Sequence, residues 1–290
     1  MWFTIVVGCG IVALKRWRAG FVCVLAVCVG SWPLVRERAL TTGDARIGEQ
    51  VVMVGSFNMY PRNEFWDADM KTMMQLGLDV LVIQEVPTEL SRGIRNRGYL
   101  EGSSMPYWVH RGWVKDEVSP GFVVSKYPLE LIGPDENDAL GSHQLMCIVR
   151  HPDGDFVVGL MHPWSPRSVE KWKEGNRVVR AHVEQVGRIR ELTGLPMVVG
   201  ADLNSTRGQY RSRRLLRSGL SPGKPLMVFD GGSFPAGRPG LMQIQLDDIW
   251  RTDDVRVVSW GMLDLTGSDH RAVIAGLSFD RESTGKFGSD

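Results

Sequence analysis

Short apolar runs alternate with amphipathic stretches along most of the chain, and this pattern predicts strands and helices in turn. Uninterrupted apolar runs between turn residues predict strands, and apolar positions every third or fourth residue predict helices. The predicted strands cover 51–57, 79–86, 107–111, 121–125, 145–150, 155–162, 197–199, 242–250, 255–260 and 271–279. The predicted helices cover 68–76, 88–96, 165–192 and 211–217. This mixture predicts one domain with helices packed outside two sheets.

Turn residues fix two of these boundaries more closely. His-Pro-Asp-Gly at 151–154 separates two apolar runs, and Asp-Gly in that position predicts a hairpin. The longest helix is predicted to begin at Ser165, because Pro166 suits a first helical turn. Gly194 suits its end, because glycine readily adopts the left-handed conformation that stops a helix.

The amino-terminal region differs from the rest in having two uncharged apolar runs, 2–14 and 19–35. The second, seventeen residues long, reaches the lower end of the length that spans a bilayer. Basic residues at 15–18 predict that its amino end stays in the cytoplasm and that the remainder lies outside. A cleaved signal peptide is the alternative and would make the protein secreted. The predicted organisation is an anchor or signal at 1–40, a linker at 41–50, a domain at 51–280 and a flexible tail at 281–290.

Composition excludes several classes of protein. The chain has 290 residues, 43% hydrophobic and 23% charged, which is typical of a globular protein. Its formal net charge is +1, and residues 1–40 hold four net positive charges, which leaves the remainder acidic by three. Tight non-specific binding to nucleic acid is therefore not indicated. Three of the four cysteines lie in the apolar amino-terminal runs and the fourth, Cys147, suits a core, so no disulfide framework or thiolate metal site is predicted.

Candidate chemistry begins with Asp202 and Asn204, which follow the apolar run at 197–199. They are two residues apart, so both side chains face the same way if the strand continues. A carboxylate and a carboxamide side by side can accept a proton from water and donate to a phosphoryl oxygen. The alternative is that both merely turn the chain. Glu85 ends the apolar run at 79–86, where a glutamate is rarely buried without a partner.

Polar side chains also stand at the ends of the other predicted strands. They are Asn58, His162, Asp247, Asp269 and His270. Each by itself is compatible with a turn, a helix cap or a solvated position. Together with the three residues above, they indicate convergence on a divalent cation and a phosphate.

Seven stretches of the chain resemble motifs of the endonuclease/exonuclease/phosphatase family, the magnesium-dependent phosphoesterases with a DNase I-like fold. They are SFNMY (56–60), VLVIQEV (80–86), GFVVSKYPL (121–129), GLMHPWSP (159–166), VVGADLNST (198–206), LDDIW (246–250) and GSDHRAV (267–273). They occur in the family's order. The resemblance implies an α/β (α+β) fold, a four-layer αββα sandwich. SFP at 233–235 is similar to the bacterial membrane-associated or exported branch.

The resemblance also implies a metal site. Glu85 would be the main ligand, with Asn58 and Asp269 close by. Mg²⁺ prefers hard oxygen ligands and keeps several waters, so one or two carboxylates are enough. Mn²⁺ accepts the same ligands and is not distinguished from Mg²⁺.

The remaining residues would carry the chemistry. Asp202 would orient and deprotonate the attacking water, and Asn204 would donate to a phosphoryl oxygen. His162 would bind the phosphate; with His270, it would stabilise transition-state charge or protonate the leaving oxygen. Asp247 would hold the tautomer of His270. Which residue is the acid and which is the base stays open.

Two positions depart from the family pattern. Ala201 stands where glycine is usual, and Asp248 stands where Tyr or His is common. The extra carboxylate at 248 is expected to weaken phosphate binding or to add a metal contact. Arg180 and Gln185 match positions on the long helix, where structural contacts are expected of them.

Three functions are compatible with these features. The first is a Mg²⁺-dependent phosphodiesterase or phosphatase, a monomer anchored in the membrane and facing outward, acting on nucleic acid, a phospholipid headgroup or a small phosphate ester. The second is a nuclease in the strict sense, favoured by the aromatic residues near 107–113 and the basic helix at 211–217. The third is a non-catalytic binding module, which the complete set of polar strand ends disfavours.

Overall fold

The computed structural model describes residues 50–111, 121–132, 143–225 and 231–279. The predicted anchor at 1–40, nearly all of the predicted linker and the predicted tail at 281–290 lie outside these ranges. Within them, no helix is long and apolar enough to cross a membrane.

The described chain contains twelve strands and four α-helices. The strands are β1 (Val52–Asn58), β2 (Val80–Gln84), β3 (Tyr107–Arg111), β4 (Gly121–Ser125), β5 (Leu129–Ile132), β6 (Gln144–Val149), β7 (Phe156–Met161), β8 (Met197–Asp202), β9 (Ser221–Pro222), β10 (Asp247–Arg251), β11 (Val255–Leu263) and β12 (Ala272–Phe279). The helices are α1 (Trp66–Gln75), α2 (Thr88–Asn96), α3 (Val169–Thr193) and α4 (Tyr210–Arg217). A short 3₁₀ turn covers Gly240–Met242.

The strands form two six-stranded sheets. The first has the order β11-β12-β1-β2-β4-β3, and the second has the order β5-β6-β7-β8-β10-β9. Each is mixed, with one parallel pair near its centre: β1 with β2, and β7 with β8. Because the two strands of a parallel pair end at the same edge, each sheet brings two strand ends together.

The two sheets pack face to face over a core rich in valine, which includes Val54, Val82, Val158 and Val198. The outer face of the first sheet packs against α1 and α2, through Met70 and Leu90 among others. α3 and α4 cover the outer face of the second sheet. Central strands are thus apolar on both faces, which is why they read as uninterrupted apolar runs. The four-layer αββα sandwich is confirmed.

Local details correct the sequence prediction at several points. The long helix begins at Val169 and not at Ser165, because the Ser168 side chain accepts a hydrogen bond from the Lys171 amide at 3.2 Å and caps the helix there. Its end at Thr193 is confirmed, with Gly194 in the left-handed conformation. The hairpin at 151–154 joins β6 and β7 as predicted. β5 and β9 were not predicted, since both are short edge strands without an apolar run.

Candidate active site

Four strand boundaries meet at one end of the sandwich and supply the predicted polar groups. Asn58 is the last residue of β1, and Glu85 follows β2 directly. Asp202 ends β8 and lies opposite Asp247, the first residue of β10, in the antiparallel register. The two parallel pairs therefore bring groups from both sheets to one edge.

The Asp202 carboxylate lies at the centre of this cluster and is 1% exposed. Asn58 Nδ2 donates to its Oδ2 at 2.9 Å, and the backbone amide of Asn204 donates to its Oδ1 at 2.8 Å. The prediction that 202 and 204 share a continuing strand face is wrong, because the strand ends at Asp202 and Asn204 has a left-handed φ of 47°. The turn nevertheless brings Asn204 Nδ2 to 3.4 Å from Asp202 Oδ2.

His270 and Asp247 form a buried pair beside Asp202. His270 Nδ1 lies 2.8 Å from Asp247 Oδ2 and 4.0 Å from Asp202 Oδ2. Burial lowers the pKa of His270, but the charges of Asp247 and Asp202 outweigh it and raise the pKa to about 10. The Ser233 hydroxyl accepts from the Asp247 amide at 3.0 Å, which holds the start of β10. The pair is thus built to keep a proton on the imidazole.

Glu85 and His162 face each other across the cleft. Glu85 has a left-handed φ of 50°, a conformation that costs a residue with a Cβ on the order of 1 kcal/mol or more. Its Oε1 lies 3.1 Å from His162 Nε2, which is also 3.3 Å from Asn204 Nδ2. Burial raises the pKa of Glu85, but the hydrogen bond and charge of His162 outweigh it and hold the pKa below its usual value. Burial lowers the pKa of His162, and Glu85 in turn raises it above its usual value.

Asp269 is exposed and lines a cleft of about 500 Å³ together with Glu85 and His162. Asn58 Oδ1 accepts from the Tyr60 amide at 3.1 Å and so presents an oxygen near the same place. Glu85, Asn58 and Asp269 offer only oxygen donors, which is the donor chemistry that Mg²⁺ prefers.

A second set of groups also has the composition of a metal site. Ligand atoms of Asp202, Asp247 and His270 lie within 4.8 Å of one another, and all three residues are buried. These three residues therefore lie together at the same end of the sandwich as Asn58 and Glu85.

The positions that depart from the family pattern lie apart from the cleft. Asp248 pairs with the Arg207 guanidinium and accepts from the Lys224 amide at 3.1 Å and the Trp260 indole at 3.2 Å. Its charge is compensated there and it does not line the described cleft, so these contacts do not support the expectation that it weakens phosphate binding or contacts a metal. Ala201 is fully buried in β8.

The two matched positions on α3 also lie outside the cleft. Gln185 is buried on α3, and Arg180 is exposed on it, beside a groove farther along the surface.

One buried residue of the site carried no sequence signal. His143 lines the cleft and places Nδ1 2.8 Å from the His162 carbonyl oxygen, so that ring nitrogen donates the hydrogen bond. Burial lowers the pKa of His143 to about 4, which keeps the imidazole neutral. Because its partner is a backbone carbonyl, no spacing pattern could have identified it.

Three basic residues of the cleft were also not identified from the sequence, namely Arg62, Arg167 and Lys171.

The sequence model of the Endonuclease/Exonuclease/phosphatase family matches residues 56–270. The match begins at the motif around Asn58 and ends at His270. No curated protein matches the chain.

Solved structures of similar fold include a protein named endonuclease/exonuclease/phosphatase from Beutenbergia cavernae, 20% identical, covering 79% of this chain and 72% of its own, with a TM-score of 0.54. The mannosyl-6-phosphatase Bt3783 of Bacteroides thetaiotaomicron is 15% identical, with coverage of 79% and 100% and a TM-score of 0.54. D. rerio TDP2, complexed with a single-strand DNA product, is 13% identical, with coverage of 79% and 100% and a TM-score of 0.55. At these identities the likeness concerns the fold.

Proposed function

The chain belongs to the endonuclease/exonuclease/phosphatase family, and on that premise we propose that it is a Mg²⁺-dependent phosphoesterase that hydrolyses a phosphodiester or phosphomonoester with an activated water. Members of the family are hydrolytic phosphoesterases and in general depend on a divalent metal. Among its structural neighbours are a phosphatase and a protein complexed with DNA product.

One observation carries the proposal: the Asp202 carboxylate is buried at the junction of both sheets with hydrogen-bond donors on each side. Asn58 and the Asn204 amide hold its two oxygens in fixed positions. The carboxylate is therefore already oriented to act as a base toward a water molecule beside it. Asp202 takes the proton as the water attacks phosphorus, the bond from phosphorus to the leaving oxygen breaks, and that oxygen takes a proton from His162 or His270.

The charge that gathers on the phosphoryl oxygens is met by Asn204, His162 and His270. Asn204 Nδ2 and His162 Nε2 lie 3.3 Å apart, close enough for both to contact the same phosphoryl group. His270 stays protonated at neutral pH because two carboxylates face it. Fixed donors and a positive charge in a partly desolvated cleft stabilise the transition state more than the ground state. Asp247 orients the imidazole and leaves its other nitrogen for the substrate.

A divalent cation fits the oxygen donors of Glu85, Asn58 and Asp269. When bound, Mg²⁺ polarises the phosphoryl group and offsets its charge. The low pKa of Glu85 means that its carboxylate is ionised, as a metal ligand must be. Mn²⁺ would satisfy the same donors.

We further propose that the protein is anchored in the membrane with this domain outside the cytoplasm. The support is the apolar run at 19–35 preceded by basic residues at 15–18. Fractionation of cells that express the full chain, followed by protease treatment of intact spheroplasts, tests both parts. A chain that stays soluble, or is protected from protease at the outer surface, contradicts the proposal.

A nuclease is the second candidate, and one surface feature favours it. A groove between α3 and α4 is lined by Trp172 and Tyr210, which are 48% and 36% exposed. Arg177 lies beside them, and an adjoining pocket with the same two aromatic rings reaches Asn204 of the catalytic cluster. Exposed rings with nearby arginines suit unpaired bases and phosphates.

Hydrolysis by the full chain in mild detergent tests the proposal. The substrates are bis-p-nitrophenyl phosphate, p-nitrophenyl phosphate, plasmid DNA and phospholipid vesicles, each with Mg²⁺ and with EDTA. Mg²⁺-dependent cleavage of either nitrophenyl ester supports the phosphoesterase, and nicking of the plasmid supports the nuclease. A folded protein that binds Mg²⁺ but cleaves none of the four would make it a binding module and overturn the proposal.

A further inference from the structure

The catalytic cleft has a basic wall in addition to its catalytic groups. The same cavity of about 500 Å³ that Glu85 and His162 line is also lined by Arg62, Arg167 and Lys171. We propose that these three side chains, here called the basic wall, bind a second anionic group of the substrate beyond the scissile phosphate. The inference rests on the proposed phosphoesterase function and names its substrate class: phosphate esters that carry a second phosphate.

Within the described parts of the chain, the three charges of the basic wall lack a carboxylate partner. Arg150 and Arg190, by contrast, each reach two carboxylates on the surface. Three cations that share one cavity repel each other, and an anion held between them relieves that repulsion.

The basic wall is connected to the catalytic groups through Trp164 and His143. Lys171 Nζ lies 5.0 Å from the ring centre of Trp164, a cation–π contact that directs the long side chain. The Trp164 ring lies 4.3 Å from His143, which donates to the carbonyl of His162. Lys171 and the His162 imidazole are therefore joined by three successive contacts, and all three cations line the same cavity as His162.

Two separate loops supply Arg62 and Arg167, and the first turn of α3 supplies Lys171. Arg62 lies in the turn after β1, which the Asn63 amide closes by donating to the Tyr60 carbonyl at 3.0 Å. Arg167 lies in the segment after β7, just before α3, where its amide donates to the Ser165 carbonyl at 2.8 Å. Because the two segments follow strands that end at the catalytic edge, their cations approach one cavity from both sheets.

Phosphate is the anionic group that best matches two guanidinium groups and a lysine. Guanidinium groups bind phosphate oxygens with two parallel hydrogen bonds, and a lysine adds a point charge. All three side chains are exposed, so a neutral alcohol at this place would leave their mutual repulsion unrelieved. A second phosphate neutralises the three charges and favours esters that carry it over esters that lack it.

Calorimetric binding to the full chain in Mg²⁺ tests the inference without requiring turnover. The probes are thymidine 5′-monophosphate and thymidine 3′,5′-bisphosphate, which differ only by the second phosphate. The bisphosphate is expected to bind at least about tenfold more tightly, the factor for one charge-assisted hydrogen bond. In the double variant Arg167→Gln/Lys171→Gln the ratio should fall below about twofold. Arg188→Gln, an exposed charge on the same helix that lines neither the cleft nor the groove between α3 and α4, is the matched control and should keep the ratio.

Equal affinities for the two probes in the wild-type protein, or a ratio that survives in the double variant, would overturn the inference. The proposed function fails separately, through absence of Mg²⁺-dependent hydrolysis of p-nitrophenyl esters. Two competitors identify the source of the second phosphate. Tighter binding of glucose 1,6-bisphosphate indicates a small phosphorylated ester, and tighter binding of tetrathymidylate indicates the neighbouring phosphate of a nucleic-acid strand.

Discussion

The side-chain amide of Asn58 donates a hydrogen bond to Oδ2 of Asp202, 2.9 Å away and 144 residues further along the chain. The two residues end β1 in one sheet and β8 in the other, and each is 1% exposed. The bond therefore joins the sheets at the catalytic end. Because the packed sheets hold both partners, the direction of the carboxylate is set by the core and not by a mobile loop.

Asp202→Asn is expected to reduce kcat by about 10²–10⁴-fold, because it removes the base and keeps the shape of the side chain. Hydrolysis of bis-p-nitrophenyl phosphate measures the effect, and circular dichroism checks that the variant is folded. Asp253→Asn replaces a carboxylate that is 86% exposed at a surface ion pair and should retain activity. Near-wild-type turnover in Asp202→Asn would contradict the assigned role.

Glu85→Gln is expected to raise the Mg²⁺ concentration needed for half-maximal activity by at least about tenfold, because an ionised oxygen ligand is replaced by a neutral one. A Mg²⁺ titration after EDTA treatment measures this, and the thermal shift caused by Mg²⁺ should shrink in parallel. Glu89→Gln, an exposed position on α2, serves as the control. An unchanged Mg²⁺ requirement would exclude Glu85 as a ligand.

The fold could be predicted from sequence because the central strands are buried on both faces. β1, β2 and β8 read as continuous apolar runs, and polar residues at their ends stand out for that reason. Asp202 and Glu85 were identifiable in this way. Their convergence was indicated by the whole set of polar residues at strand ends and by the family resemblance, and not by either residue alone.

The rest depends on geometry that no local pattern encodes. Asn204 reaches Asp202 through a left-handed turn and not through strand alternation. His143 is defined by a backbone carbonyl. Arg62 and Arg167 look like solvated surface charges in the sequence, and only the paths of two loops bring them into the cleft. Long-range packing of this kind overrides propensity and spacing.

The pKa of His270, raised to about 10 by Asp247 and Asp202, predicts a basic limit to activity. The pKa of His270 in the folded protein exceeds the usual 6.5, so its protonated ring stabilises the folded state. This contribution to the free energy of unfolding is complete below pH 6.5 and is lost as the pH rises through about 10. Activity should fall over the upper part of that range as the positive charge disappears. An NMR titration of the His270 ring in metal-free protein measures the pKa. Asp247→Asn should lower it, and an unchanged value would contradict the pairing.

His182 predicts a loss of stability in acid that is independent of the active site. It is fully buried in α3, and neither ring nitrogen has a hydrogen-bond partner among the described residues. Burial lowers its pKa to about 3, so the unfolded chain takes up its proton first. The contribution of the neutral His182 ring to the free energy of unfolding is therefore complete above about pH 6.5 and decreases as the pH falls from there toward 3. Urea unfolding at several pH values should show a flatter dependence in His182→Phe; the same slope as wild type would contradict this.

Gly200 lies in β8, two residues before Asp202, where the two sheets pack closely against each other. A Cβ at this position would lie 2.8 Å from Val82 Cβ and 2.9 Å from Ser56 Oγ in the opposite sheet. Gly200→Ala is therefore expected to reduce the free energy of unfolding by about 1–3 kcal/mol, the usual cost of overpacking a core. It should also lower kcat, because moving the sheets apart disturbs the Asn58–Asp202 bond.

Gly187→Ala provides the matched control for this substitution. Gly187 lies in α3, and nothing lies within 4 Å of a Cβ added there, so the change should stabilise the protein by about 0.5–1 kcal/mol through helix propensity alone. Urea denaturation of both variants measures the difference, and hydrolysis assays measure kcat. Equal stability of the two variants would mean that the sheets accommodate a methyl group, and the direction of Asp202 would then need another explanation.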